Sequence, residues 1–491
     1  MRLFLSILCL SFLLPSSAWA KWTQVTSENF IVIGDGREKN IQKLALELER
    51  YRLFLSKITG TEYKSEALPV RVYAFYSTAT FGRSFYSDSA AGVYAASLDG
   101  PIFIAYTGRP ETKISLTGDS IIKHEYVHHY MYSAGQRNYP AWYREGLADF
   151  FSTYQYKDGI SEVGLIIPSR TYGLKAEKWL DWAKIFTGTS NFRIKNKYEY
   201  SRAYSQSWIA VHYLQLNTER RTQLGTYLSA IRGGSGVEQA MAASFGVTRA
   251  QLGKEIRDYY RKGTIPLLRM KLDVDDYPTT LKTEKISKAE SKFQLAYAGS
   301  FFAKGNSEEQ KEFRKTTRQR LEKYLKTNPS DIRALAALAE VSLHDDLIAE
   351  ATNIVIRAKQ TSPDHALTAF IEGLLLSEKG QKLDGLEKKE TVLQARDLFD
   401  KARKQNPLLA KAHYGYAYTW YLLGDKVTEE AILAAKTVDQ LTAETHDVPF
   451  IFGTLLLRGG HENLGRPMLQ QLYNTTTSLQ MRIQITRELN R

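Results

Sequence analysis

Hydrophobic and polar positions follow two rhythms along the chain. In residues 21–115, short runs of period two alternate with a longer run of period near 3.6. Residues 29–33 read as a strand closed by Gly34-Asp35-Gly36, and residues 68–75 as a second. Between them Ile41, Leu44, Leu46, Leu48, Tyr51 and Leu55 give residues 38–58 a broad apolar helical face. Residues 92–106 read as a hairpin turning at Asp99-Gly100. From about residue 118 the helical period takes over, predicting helices over 119–134, 141–155, 201–217, 219–231, 236–244 and 248–262, with Gly233-Gly234 as a break. The expected fold of residues 21–265 is α+β, mixed in 21–115 and mostly helical in 116–265. Residues 266–290, strand-like at first and then acidic with Pro278, read as a linker to a third region, 291–491.

Prolines at 329, 363 and 407 mark that third region, and the first interval is 34 residues, the tetratricopeptide period. Ala351 and Ala358 precede Pro363 by the same distances at which Ala395 and Ala402 precede Pro407, with Phe399 between the second pair. The second interval is 44 residues, and a Lys- and Glu-rich insertion near 382–390 accounts for the extra ten. Gly373 and Gly380 fit the first helix and turn of that unit, and Ala410, Ala417 and Gly424 begin another. The pattern resembles all-α tetratricopeptide-like repeats over roughly residues 295–475, each unit a helix pair that buries its apolar face only against its neighbours. Arg314 to Lys326 reads as a charge-rich helix with a solvated face.

Composition narrows the function classes. At 491 residues with 43% hydrophobic and 24% charged side chains, the chain is globular and long enough for two or three domains, which excludes a mostly disordered protein. Arg2, the apolar run 3–14 and the exit Ala18-Trp19-Ala20 read as a secretory signal peptide, residues 1–20. After its cleavage no apolar run long enough for a transmembrane segment remains, so the expected location is periplasmic or secreted. Cleavage also removes Cys9, the one cysteine in the sequence, which excludes disulfides, thiolate metal sites and cysteine nucleophiles. The net charge of +13 suggests an anionic neighbour. The basic residues are dispersed, however, and neither a P-loop, a G-x-S-x-G nor a dinucleotide fingerprint is present. Nucleic acid is not an expected partner.

Three of the nine histidines fall in His124-Glu125-Tyr126-Val127-His128-His129. His124 and His128 are four residues apart and share one helical face, so both imidazoles can reach one metal ion. This is the H-E-x-x-H pattern of zinc proteases. Glu125, beside the ligands, is placed to take a proton from a water whose pKa zinc lowers towards about 7. Downstream, Trp142-Tyr143-Arg144-Glu145-Gly146-Leu147-Ala148-Asp149 offers Glu145 as a third ligand, which completes the three protein ligands of a catalytic zinc. Asp149, four residues on, lies on the same face, where a carboxylate can hold the second nitrogen of a ligand histidine. His129 points about 100° away from His128 and is not expected to bind the metal. His212 reads as a buried helix histidine.

With these motifs in place, residues 21–262 resemble the gluzincin peptidases, and within them the bacterial peptidase MA-like branch. The resemblance rests on His124-Glu125-x-x-His128, on Trp142-x-x-Glu145-Gly146-x-Ala148-Asp149 and on Ala203-Tyr204-Ser205-Gln206-Ser207-Trp208. It implies a thermolysin-like α+β domain with Zn²⁺ on His124, His128 and Glu145, and Glu125 as general base. It also implies an edge strand that binds substrate backbone, matched loosely to 92–106, and Tyr204 as the oxyanion donor, with Tyr198 and Tyr200 as alternatives. Only sixteen residues separate His128 from Glu145, which fits a smaller branch of the family. No G-x-M-E-N segment is present, so exopeptidase action is not implied. The expected function is that of an exported zinc-dependent metallopeptidase, an endopeptidase acting on a peptide or protein, whose repeats dock substrate or a protein partner. The alternative is a non-catalytic scaffold of the cell envelope with a structural or vestigial metal site.

Overall fold

The computed structural model describes residues 22–491 except 63, 79, 82–91, 110–115, 135–138, 177, 189–191, 193, 195, 273–278, 303–306, 425, 443–444, 446 and 477. The expected signal peptide, residues 1–20, and most of the loop after the His-bearing helix lie outside the described residues, as does Pro278.

A mixed sheet of six strands organises the first half. Its strands are β1 Thr23–Thr26, β2 Phe30–Gly34, β3 Val70–Phe75, β4 Gly92–Ala95, β5 Ile102–Tyr106 and β9 Lys282–Lys285, in the order β4-β5-β3-β2-β1-β9. The central trio β2, β3 and β5 is parallel, and β4, β1 and β9 join antiparallel. Parallel central strands need cover on both faces, and β3 shows it residue by residue. Val70, Val72 and Ala74 face a core shared with helix α1 Glu38–Thr59, while Tyr73 and Phe75 face a second core. That second core is completed by Ala298 and Phe301 of helix α10 Lys288–Phe302, the first helix of the C-terminal half. The two halves therefore share a hydrophobic layer. Tyr73 adds a hydrogen bond to Gln294 across it, 2.9 Å.

Helices α2 Gly118–Ser133 and α3 Ala141–Ser152 follow the sheet, and then a hairpin of β6 Gln155–Lys157 and β7 Ile160–Val163. Next come α4 Pro168–Ala176, α5 Trp182–Ile185, α6 Lys197–Leu216, α7 Thr218–Arg232, α8 Val237–Phe245 and α9 Arg249–Arg261. The helical period located α2, α3 and α6–α9 to within a few residues. It gave no sign of α4, α5 or the β6–β7 hairpin, whose elements are too short to carry a period.

The stretch 266–290, expected as a linker, holds two paired strands. β8 Leu268–Lys271 joins β7 in a three-stranded sheet, and β9 closes the edge of the main sheet against β1. Its charged sequence, Lys-Thr-Glu-Lys in β9, suits a solvent-facing edge strand.

The C-terminal half is a series of helix hairpins. Its helices after α10 are α11 Glu308–Leu325, α12 Ile332–His344, α13 Ile348–Thr361, α14 Ala366–Gln381, α15 Gly385–Gln405, α16 Ala410–Leu423, α17 Glu429–Leu441, α18 Val448–Arg458, α19 Glu462–Thr475 and α20 Leu479–Leu489. The small residues singled out in the sequence sit where helices meet. Ala351, Ala358, Ala395, Ala402, Ala410 and Ala417 are all buried. A Cβ on Gly373 would lie 3.1 Å from the Phe399 ring. The ten extra residues do not loop out, because α15 runs for 21 residues where α13 has 14. The solvated-face reading of Arg314 to Lys326 fails at two positions. Arg314 is buried, and both Arg314 and Arg318 bind Asp345 at the end of α12. Among the described residues no helix is long and apolar enough to cross a membrane.

Candidate metal centre

α2 begins at Thr117, whose hydroxyl accepts the Ser120 N–H at 3.1 Å as an N-cap. Gly118 allows that start to press on the end of β5, since a Cβ there would lie 2.0 Å from the Tyr106 carbonyl oxygen. Ile122, Tyr126 and Val127 bury the sheet-facing side of the helix. His124 and His128 then share the remaining face, one turn apart. α3 follows Pro140 and is fixed by Trp142, fully buried against Phe186 and Tyr227. Gly146 brings α3 against α6, where a Cβ would lie 2.3 Å from the Ser207 carbonyl. Helix-to-helix packing this close turns Glu145 and Asp149 towards α2.

The candidate ligand atoms converge. Glu145 Oε2 lies 3.3 Å from His124 Nε2 and 3.4 Å from His128 Nε2. A ligand atom from each residue falls within 4.8 Å of the others. Tetrahedral coordination with bonds of about 2.0–2.1 Å places ligand atoms roughly 3.3–3.4 Å apart, the spacing of Glu145 from both imidazoles, and the nitrogen and oxygen donors suit a small ion such as Zn²⁺. Among the described residues this is the one group of three or more His, Cys, Asp or Glu that meets the same test.

Asp149 Oδ1 lies 3.0 Å from His124 Nδ1, although the ring N–H is not well aligned on it. The same carboxylate takes a two-pronged contact from Arg170 of α4, at 2.6 Å from Nε and 3.1 Å from Nη2. Asp149 thus sits between a ligand imidazole and a guanidinium, and is 1% exposed. Tyr204 of α6 stacks on His124, with ring centroids 6.5 Å apart and planes at 25°. The Arg170 guanidinium also lies over the Tyr204 ring, 5.0 Å from its centroid. Tyr198 and Tyr200 are exposed instead. Glu125 is half-buried on α2, and its charge acts on His124.

The electrostatics favour a positive charge at the centre of this group. Burial disfavours charge on His124, yet the Asp149 and Glu145 carboxylates beside its two ring nitrogens outweigh it and raise its pKa to about 10. Burial pushes the Glu145 carboxyl upward, and the two histidines more than reverse that, holding it well below the carboxylate range. Asp149 is lowered likewise, with Arg170 as the largest opposing influence to burial. Burial and the Glu145 charge both raise the Tyr204 hydroxyl, which keeps it a proton donor. Two ionised carboxylates around two imidazoles are a set that a divalent cation neutralises.

Sequence reasoning missed Arg170, because a lone arginine in a nine-residue helix has no motif. It also missed the buried network behind α2. His129 turns away from the ligands, with Nε2 3.3 Å from Glu66 Oε2. Glu66 also holds Arg52 at 2.5 Å and accepts from the Tyr126 hydroxyl at 3.1 Å. Its own burial works against it, but His129 and Arg52 lower its pKa to about 2. The contacts join α1, α2 and the segment before β3, so the His-bearing helix is braced from behind.

Residues 119–232, which carry α2 through α7, match a family described as "Protein of unknown function (DUF1570)". No curated protein matches the chain. Among solved structures, similarity extends to a thermophilic TPR protein of Thermus thermophilus, at 19% identity over 41% of this chain and 100% of that one, with a TM-score of 0.33. It extends also to YrrB, a TPR protein with an unusual peptide-binding site, at 14% identity over 40% of this chain and 99% of that one, TM-score 0.26. MamA matches at 13% identity over 42% and 99%, TM-score 0.26. Such TM-scores add nothing to what the helix hairpins of this chain establish by their own packing.

Proposed function

We propose that the chain is an exported zinc-dependent peptidase that cleaves internal peptide bonds of a peptide or protein, with the gluzincin-like arrangement expected for residues 21–265. The observation that carries the proposal is the convergence of His124, His128 and Glu145 within 4.8 Å of one another, with Glu145 at 3.3 and 3.4 Å from the two imidazoles and Glu125 adjacent in the chain. A structural site needs ligands but has no use for a neighbouring base. Bound there, Zn²⁺ supplies Lewis acidity towards a peptide carbonyl and towards water. Glu125 accepts a proton on its carboxylate and returns it to the leaving amine. Tyr204 donates its hydroxyl hydrogen to the developing oxyanion. Asp149, pinned by Arg170, keeps the His124 ring in one orientation. β4, which ends the sheet among the described residues, is the strand we assign to an extended substrate backbone.

Purified protein should bind about one zinc per chain. Glu125→Gln should keep the metal and lose hydrolysis of a broad peptide library, while Glu145→Ala should lose the metal. Wild type that binds zinc yet cleaves nothing in that library would overturn the peptidase reading. It would leave the second reading, a binding scaffold with a structural or vestigial metal site. One observation favours that second reading, a large cavity on the inner side of the helix hairpins.

A further inference from the structure

The first helix of each C-terminal hairpin lines a cavity of about 640 Å³, and the β4–β5 turn, Ser97 to Asp99, forms one of its walls. The turn is held there by Lys411 of α16. Lys411 is buried, with its ammonium 2.8 Å from Asp99 and 2.7 Å from Glu340. The chain's own hairpin therefore closes one end of the groove.

The charges that remain open in the cavity are negative. Its two cations, Lys411 and Arg314, are both engaged, Arg314 by Asp345. Its other two carboxylates, Glu378 of α14 and Asp447 before α18, form no ion pair among the described residues. Three tyrosines of α16 share the wall with them. Tyr414 and Tyr418 stack at 5.8 Å with planes 11° apart, and Tyr421, 5.8 Å from Tyr418, already carries the Arg458 guanidinium 5.1 Å from its ring centroid. Tyr418 lies within electrostatic reach of both carboxylates. Burial raises the Glu378 carboxyl, and burial followed by the Asp447 charge raises the Tyr414 hydroxyl. Aromatic faces attract cations through the ring quadrupole, most strongly where water is excluded.

We propose that this cavity binds a basic polypeptide segment, a Lys or Arg side chain entering over Tyr414 and Tyr418 with its charge set against Asp447 and Glu378. An acidic segment is disfavoured, because the two cations lining the cavity are engaged, and of the cations near it Lys382 is held by Asp346 and Arg458 and Arg491 by Glu488. The chain's overall charge of +13 does not prevent capture. At physiological ionic strength charges more than about 8 Å apart through solvent are largely screened, so the local field of the cavity prevails over the distant surface. The inference is independent of the peptidase reading, since it uses no metal.

The test uses the full chain after chelator treatment, so that binding is read without hydrolysis. The probes are a fluorescein-labelled Gly-Ser-Arg-Arg-Arg-Ser-Gly peptide and its Glu-for-Arg counterpart, followed by anisotropy. The Arg peptide should bind at least tenfold more tightly than the Glu peptide. Asp447→Asn with Glu378→Gln should weaken the Arg peptide about tenfold, in keeping with loss of both counter-charges. Tyr418→Phe, which keeps the ring, should bind as wild type does, whereas Tyr418→Leu should weaken binding severalfold. Equal binding of the two peptides, or an unchanged affinity in a double variant that unfolds at the wild-type temperature, would overturn the proposal. Should the double variant not fold, the Phe–Leu pair at position 418 decides, and equal affinity of those two would also overturn it.

Discussion

Asp149→Asn separates positioning from ligation at the metal centre. The change keeps side-chain volume and removes one charge from a carboxylate that is 1% exposed. Two contacts suffer. The first is to His124 Nδ1, 3.0 Å away, which fixes the orientation of a ligand ring. Losing such a partner costs about tenfold to a hundredfold in metal affinity, or about 1.4–2.8 kcal/mol. The second is the two-pronged contact with Arg170, whose side chain is 14% exposed. Stripping one partner from a buried pair costs about 3–5 kcal/mol. Here the amide oxygen of Asn still accepts one bond, and Arg170 keeps its place over Tyr204. The expected loss is therefore nearer 2–3 kcal/mol. Zinc titration against a competing chelator reads the first effect. Urea unfolding of chelator-treated protein reads the second without the metal's own contribution to stability. Wild-type zinc affinity in Asp149→Asn, within threefold, would refute the positioning role even if stability fell.

Further expectations follow from the same contacts. Gly146→Ala places a Cβ 2.3 Å from the Ser207 carbonyl and 2.6 Å from Val211. The gain in helix propensity, about 1 kcal/mol, is offset by an overpacking penalty of roughly 1–3 kcal/mol, at its upper end here because the nearest atom is backbone, so the melting temperature should fall and zinc affinity with it; a stabilised variant would show that α3 and α6 are not so tightly packed. Lys411→Met leaves Asp99 and Glu340 facing each other without their cation, and should cost about 2–3 kcal/mol because both acids keep some contact with solvent. Faster hydrogen exchange at Ser97–Gly100 is the local signature, and unchanged protection there would sink the idea that Lys411 seats the turn. His212 is buried between the Tyr259 hydroxyl and the Gly164 carbonyl, each at 2.9 Å, and burial lowers its pKa to about 4. The unfolded chain then binds the proton more readily, so the stability this residue confers is complete above about pH 6.5 and drains away as pH falls towards 4. The stability gap between wild type and His212→Gln should shift by about 3 kcal/mol between pH 7 and pH 4, against the wild type in acid. A gap that does not change with pH would show that His212 does not titrate as its burial implies.

Local periods in the chain carry the helical faces. Two histidines four apart share a helical face wherever the helix packs, and Glu145 with Asp149 does so on the next helix. The spacing of alanines around Pro363 and Pro407 likewise marked helix pairs that need neighbours. Which of those faces meet depends on contacts between elements far apart in the chain. Gly146 lets α3 approach α6 closely enough to aim Glu145 at α2. Arg170 reaches Asp149 from 21 residues away and belongs to no motif of its own. β9 pairs with β1 across more than half the chain, so a segment that reads as a linker becomes the edge of a sheet. Lys411 meets Asp99 across 312 residues and joins a repeat helix to the turn after β4. Such contacts leave no periodic trace, because each is a single residue whose partner is chosen by how whole elements pack, not by the residues beside it.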